Sequence, residues 1–435
     1  MQRLSLFIFI LILQVTTLLA ASKIYDSANT RIESFFTKEN TTYVLTHNHK
    51  SNKKVVVPKG CTIVFNGGAI SAPITFTNTM LKGSINLKGS KLSGTISNKE
   101  FNAAWLCYKD GNQDDASNIN NILSISNKVF FPSGIYRLKS FHTPLYKINK
   151  PYHIGIYRSG VMLRGETGSV LCTSEMAGTL CIYSKPKDIP GSIHDITIQK
   201  LSFKVESEST DFVKEQEHCH TISTMGVKNL SITNCTFHNF WGDAICLNHY
   251  GDNENTGERA RNMNVVIKNN FIDGYKSCNR NGVSIINGQD VLVKSNHIIN
   301  SSHGTMPGAI DIEPNNTAYT INRIIISNNV IDRCKGKNAA IGVISNRHKG
   351  PVHNVKINNN TITNSTRAFE FAVECDNVAD NIVVTNNSSD ANTDPYIFYG
   401  IGRTKNWVFT GNSFKRKATN KFGGRIKFIN MKSSE

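Results

Sequence analysis

Asp311 and Glu313 stand two apart in Ile310-Asp311-Ile312-Glu313, an alternation that sends both carboxyls to one side of a strand and the isoleucines to the other. Carboxyls placed this way can share acid/base work, hold Ca2+, or pair with Arg280 on the preceding repeat. The plain alternative is a solvated salt bridge, which contributes little. Glu370 falls in the same outward column two repeats on, with Ser284 and Gly342 in equivalent places. Two strand spacings put Asp311 and Glu370 about 10 Å apart, near the upper range for an inverting carboxyl pair.

One repeat before Arg280 lie Asp243, His249 and Tyr250, leading into a loop through Arg259 and Arg261. His249 or Tyr250 can exchange a proton, and forked guanidinium groups suit carboxylate or sulfate. Against this, Asp243 can simply cap a turn and His249 can be a solvated loop residue. His303 and the run Arg347-His348-Lys349 occupy loops of later repeats and invite the same two readings. Trp241 can stack on a sugar ring, or merely pack beside its glycine. His218-Cys219-His220 makes a poor metal fragment, because neighbours on a strand face opposite ways. None of the ten cysteines forms a Cys-x-x-Cys pair, so buried apolar roles are expected for them.

The elements that must position these residues come from a repeat. An apolar residue, a second apolar residue two on, Asn three further and another apolar residue recur from Val265, Val291, Ile324 and Val355, more weakly from Ile382 and Trp407. At Leu230 the Asn is replaced by Cys235. Starts are separated by 35, 26, 33, 31, 27 and 25 residues, so loops of variable length join strands of constant pattern. Alternation marks strands with one buried face, and no coil buries that face alone. The recurring Asn is expected to serve a turn, tolerating the left-handed region and bonding a stacked neighbour. Second strands are expected at Val283–Ile286, Ile310–Glu313, Ile341–Ile344 and Phe369–Val373. Shorter apolar runs occur at Val55–Val57, Thr62–Phe65 and Ile85–Leu87, and Asp114–Ile125 reads as a helix capping the stack. Around Asp243 the strand phase is ambiguous, since either Ile245 and Leu247 or Ala244 and Cys246 could point inward. The fold expected is an all-β, right-handed parallel β-helix with a short N-terminal helical cap.

Arg3 precedes an apolar run, Leu4 to Leu19, and then Ala20-Ala21-Ser22. This pattern predicts a cleaved signal peptide over residues 1–21, a single domain over 22–435, no remaining membrane span, and a secreted or periplasmic monomer. Lysine and arginine outnumber acidic residues by 49 to 32, a formal charge of +17. For an exported chain that favours an anionic glycan over nucleic acid as partner.

Val56-Val57-Pro58-Lys59-Gly60-Cys61-Thr62 with Phe65-Asn66-Gly67-Gly68 resembles the opening of exported β-helix proteins of Bacteroides-type bacteria. Asp114-Asp115 followed by Val129-Phe130-Phe131-Pro132-Ser133-Gly134-Ile135-Tyr136 is similar to the N-terminal signature of the pectate-lyase superfamily. Arg280-Asn281-Gly282-Val283-Ser284-Ile285 and Gly308-Ala309-Ile310-Asp311-Ile312-Glu313-Pro314-Asn315 also resemble it, so the likeness spans roughly residues 55 to 415. That superfold hosts lyases, hydrolases, epimerases and tailspikes. Polygalacturonase-type members use Asn-x-Asp, Asp-Asp and Arg-x-Lys, and here Trp241-Gly242-Asp243-Ala244-Ile245 matches the middle motif with one Asp. With the other two motifs missing, the resemblance implies instead a polysaccharide lyase of the kind that cuts glycosaminoglycans such as chondroitin, acting by β-elimination. In that reading Arg280 neutralises a uronate, Asp311 and Glu313 place it or a Ca2+ ion, and His249, Tyr250 or His303 moves protons. Asp243, Arg259, Arg261, Arg347, His348, Glu370 and Trp241 would line the substrate. A hydrolase using Asp243, Asp311, Glu313 or Glu370, a carbon-5 epimerase, and a non-catalytic glycan-binding solenoid are the rivals.

Overall fold

The computed structural model describes residues 23–142, 151–184, 192–209, 211, 213–249, 261–276, 279–302, 308–334, 339–345, 349–373, 378–390, 395–399, 403–415, 426–429 and 432–433. The expected leader, residues 1–21, lies outside them. Contacts divide the chain into two compact units, Met1–Asn98 and Lys99–Glu435.

In the first unit Lys23–Tyr25, Thr42–Leu45, Thr62–Phe65 and the long strand Pro73–Gly83 follow one another in a parallel sheet. The start of Pro73–Gly83 also pairs with Val55–Val56 and with Lys91–Ile96. Two of the three expected apolar runs are thus strands. Residues 85–87 form no strand, although Leu87 is fully buried. Burying a side chain inside a coil needs only an inward turn.

The second unit is a right-handed parallel β-helix whose coils contribute strands to sheets of 12, 13 and nine strands. One coil shows the plan: Asn262–Lys268, Phe271–Asp273 and Val283–Ile285 enter the 13-, 12- and nine-stranded sheets in turn. The repeat keeps register, with Val265, Val291, Ile324, Val355 and Ile382 partnered strand to strand. Each is almost wholly buried, and the stacked column removes these side chains from water.

The recurring Asn forms a buried ladder. Asn270 Nδ2 donates to Asn296 Oδ1 at 2.9 Å, and the bond repeats through Asn329, Asn360, Asn387 and Asn412. Each Oδ1 also accepts a backbone N–H from the previous coil, as Asn329 Oδ1 does from Asn296 N. The left-handed backbone belongs to the residue before: Asn234, Asn269, Ser295, Asn328, Asn359 and Asn386 have φ of 54 to 57°. Turning and laddering are therefore split between neighbours rather than combined in one asparagine.

Helix α1, Ala116–Ile125, packs on Tyr152–Ile156, the end strand of the nine-stranded sheet. Asn120 Nδ2 donates to His153 O at 2.7 Å and Asn120 Oδ1 accepts from Gly155 N at 3.0 Å. A helix side chain thereby satisfies backbone groups that a bare sheet edge would leave open. Among the described residues no helix is long and apolar enough to cross a membrane.

Candidate functional site

The nine-stranded sheet carries the candidate residues. Its strands are β1 Tyr152–Ile156, β2 Gly178–Tyr183, β3 Ile222–Met225, β4 Ile245–Leu247, β5 Val283–Ile285, β6 Ile310–Ile312, β7 Ile341–Ser345, β8 Phe369–Val373 and β9 Tyr396–Tyr399. Register decides the phase left open by the sequence. Ile245 and Leu247 align with Val283 and Ile285, so they point inward and Cys246 outward. The outward column then runs Cys181, Ser223, Cys246, Ser284, Asp311, Gly342, Glu370. Outward does not mean solvated here: Cys246 is 2% exposed, Ser284 1%, Asp311 1% and Glu370 4%.

Asp243 sits in the turn entering β4 and is buried. Its Oδ1 accepts from Asn281 N at 3.0 Å and faces Arg280 Nε at 3.9 Å, while its Oδ2 lies 3.1 Å from His220 Nδ1. Burial alone would push this carboxyl up. Arg280, His220 and the Asn281 N–H outweigh it and hold the group at about 2. Arg280 also bonds Glu217 at 3.1 Å, so its guanidinium already answers two carboxylates. Asn281 completes the turn, donating to Ser284 Oγ at 3.0 Å and accepting from Gly308 N at 3.2 Å.

Asp311 is the opposite case. Among the described residues neither carboxyl oxygen has a hydrogen-bond partner. Burial pushes the group well above the usual carboxylate range, and the charge of Glu313 adds to this; Arg280 and Lys349 pull the other way without winning. An unsatisfied buried polar group costs on the order of 1–3 kcal/mol. A carboxyl with both oxygens orphaned, on a strand face that also carries Glu370, marks a site. Two carboxyls on one face thus have environments that push them apart, Asp243 charged and Asp311 favouring its protonated form.

Glu313 pairs with Lys349. Asp311 and Glu313 could supply at most four of the six to eight oxygens that Ca2+ takes, and Glu313 already has a cation. Gly342 separates Asp311 from Glu370 in the column, and a Cβ there would lie 3.4 Å from Asp311 Oδ1. The column therefore carries no side chain between the two carboxyls.

His249 follows β4, and its Nδ1 lies 2.7 Å from the Tyr319 hydroxyl, with ring centroids 4.5 Å apart. Tyr319 packs on Cys246 and Ile286, over the same outward face. Trp241 is 7% exposed, packed on Val205 and Cys219, and its Nε1 donates to Glu175 O at 2.7 Å, the geometry of a structural anchor. Arg261 donates to Gln289 Oε1 at 3.2 Å beside the 13-stranded sheet. Tyr250, Arg259, His303, Arg347 and His348 lie outside the described residues.

The face therefore gathers Asp243, Arg280, Asp311, Glu313, Glu370 and His249 from the expected set. It adds Tyr319, His220 and Glu217, to which the sequence reading gave no catalytic part. Thr221 N bonds Asp243 O, so stacking one coil on the next is what brings His220 to Asp243. Tyr319 sits in a loop with no repeat pattern around it, and nothing in the sequence pairs it with His249. Eight cysteines among the described residues are buried, as expected.

No family model and no curated protein sequence matches the chain. Solved structures do. An iota-carrageenase complexed to iota-carrageenan fragments aligns at TM-score 0.50 and 12% identity, covering 77% of this chain and 88% of that one. A Family 28 exopolygalacturonase of Yersinia enterocolitica aligns at TM-score 0.50 and 12% identity, covering 77% and 69%. An alginate lyase from Paenibacillus sp. aligns at TM-score 0.46 and 11% identity, covering 73% and 97%. What the carrageenase and the exopolygalacturonase share with this chain is the fold.

Proposed function

We propose that this chain is an enzyme that cleaves an anionic, uronate-containing polysaccharide by β-elimination at the outward face of β4–β7. The observation that carries the reading is Asp311, a buried carboxyl favouring its protonated form with neither oxygen bonded among the described residues. A protonated carboxyl can donate to a substrate carboxylate and remove its charge, which makes the proton on the adjacent carbon acidic. The formal charge of +17 and the carrageenase and polygalacturonase among the structural neighbours support a glycan substrate.

Tyr319 and His249 supply the proton path. With His249 Nδ1 as acceptor, Tyr319 passes its proton to the imidazole as it takes one from the substrate carbon. The electron pair left on that carbon forms the new double bond, and the glycosidic C–O bond breaks towards the leaving oxygen. That oxygen takes up the proton now held by the Tyr319–His249 pair, which returns both residues to their starting state. Arg280, held by Asp243 and Glu217, gives the site a fixed positive charge rather than a free clamp. Asp311 is 1% exposed, so the residues over the column must part when a glycan binds.

A second reading, inverting hydrolysis by Asp311 and Glu370, is favoured by Gly342, which puts no side chain between them. The test is incubation with chondroitin first, then hyaluronan, heparin, alginate and polygalacturonate, with and without chelator, reading unsaturated-uronate absorbance and reducing ends in parallel. Absorbance on any substrate supports elimination. New reducing ends without absorbance would replace it with hydrolysis, and silence in both across the panel would leave a binding solenoid.

A further inference from the structure

His220, Asp243 and Cys246 bring one imidazole nitrogen, one carboxylate oxygen and one thiol sulfur within 4.8 Å of one another. All three residues are buried. They come from two successive coils: His220 precedes β3, and Asp243 and Cys246 flank the start of β4. The sequence pattern pointed away from a metal here because it considered only His218, Cys219 and His220, whose side chains diverge. Stacking replaces those neighbours with partners from the next coil.

We propose that His220, Asp243 and Cys246 form a binding site for a thiophilic divalent cation of the Zn2+ class. A mixed nitrogen, oxygen and sulfur set suits such an ion and not Ca2+ or Mg2+, which prefer oxygen shells. A tetrahedral ion with bonds of about 2.0–2.3 Å needs donors roughly 3.3–3.7 Å apart. His220 Nδ1 and Asp243 Oδ2, at 3.1 Å, are already close to that separation. Asp243 is preset for the task, because the Asn281 N–H and Arg280 occupy its other oxygen and leave Oδ2 towards the cluster. Three protein ligands leave a fourth position for water or a ligand atom. The orphaned carboxyl of Asp311 lies two strands along the same column from Cys246, so an ion here would bear on the same face.

Binding has a defined proton balance. The Cys246 thiol loses its proton to solvent as the sulfur–metal bond forms, and His220 Nδ1 exchanges its contact with the Asp243 N–H for the ion. Affinity therefore rises with pH. The proposal stands apart from the cleavage reading, because its test measures binding and not turnover.

The experiment adds Co2+ alone, and Zn2+ in competition, to the purified chain. One equivalent of Co2+ is expected to give a sulfur-to-cobalt charge-transfer band that Zn2+ abolishes and Ca2+ does not. C246S removes the band, and H220Q weakens Co2+ binding at least tenfold. C235S, at a buried cysteine under the Asn ladder, keeps both band and affinity. Thermal melts establish that each variant is folded, and H220Q carries the test if C246S is not. Absence of the band in folded wild type, or a band of unchanged affinity in folded C246S or H220Q, overturns the site.

Discussion

The Tyr319 hydroxyl and His249 Nδ1 lie 2.7 Å apart across 70 residues of sequence. Both flank the column that holds Asp311, and Tyr319 makes a second contact of a different kind, packing on Cys246 and Ile286. Hydroxyl and ring can therefore be separated experimentally. Tyr319→Phe keeps the packing and loses the proton path. It is expected to lower kcat by about 100-fold or more with little change in KM, and to leave the melting temperature nearly unchanged. Steady-state kinetics on the substrate found by the absorbance screen, with a thermal melt, check both halves. Unaltered kcat would remove Tyr319 from the mechanism.

Asp311→Asn separates two roles of the carboxyl. An amide can still donate a hydrogen bond to a uronate but cannot give up a proton. Under elimination the variant keeps measurable turnover; under hydrolysis it loses turnover by about 100-fold or more. Product analysis on the same sample reads the difference.

The same substitution has a stability signature that needs no substrate. Burial raises the Asp311 group in the folded protein, so its stabilising contribution is complete below the unfolded value and declines as pH rises towards the folded one. Asp311→Asn has no such decline. Its melting temperature is expected to gain on wild type steadily as pH is raised from about 4. A constant offset between the two curves would show that Asp311 is not held protonated.

His153 carries the opposite sign. It is wholly buried between Ser140 O and Thr173 Oγ1, at 2.9 Å each, and burial lowers its proton affinity below that of a free imidazole. The stability it contributes is present above the unfolded value of about 6.5 and is lost as pH falls through the folded one. Wild type is expected to lose melting temperature on acidification through that window, and His153→Gln to lose less. Parallel slopes for the two proteins would assign the loss to other groups.

The Asn ladder is expected to matter far more than the exposed asparagines beside it. Asn329→Ala leaves Asn296 N without its acceptor and takes one bond each from Asn296 Nδ2, Val293 O and Asn360 Oδ1, all deep in the coil. An orphaned buried N–H costs on the order of 1–3 kcal/mol and each further bond lost about 1 kcal/mol, so a loss of about 3 kcal/mol or more is expected in denaturant unfolding. Asn264→Ala breaks an exposed bond to Asn229 and puts alanine at φ 53°, for which about 1–2 kcal/mol is expected. Equal losses would mean that the buried ladder relaxes or recruits water.

The β-helix was legible because its cause is local and repeated. Val265, Ile267, Asn270 and Ile272 state which side faces in, and the statement recurs often enough that variable loops do not hide it. The outward direction of Asp311 followed from the same alternation, as did the column shared with Ser284, Gly342 and Glu370. The buried state of that column did not follow, because period two gives direction along a strand and says nothing of what lies over it.

By itself, then, the sequence determined the coil, the Asn ladder and the list of residues able to do chemistry, all properties of spacing within one repeat. The tertiary structure alone decided which of them meet. Stacking set His220 against Asp243, a loop 70 residues away laid Tyr319 on His249, and the partners that Asp243 has and Asp311 lacks separated the proton affinities of two equally buried carboxyls. Those outcomes depend on charge, distance and desolvation between coils, and the loops that set the stacking neighbours carry no period from which to read them.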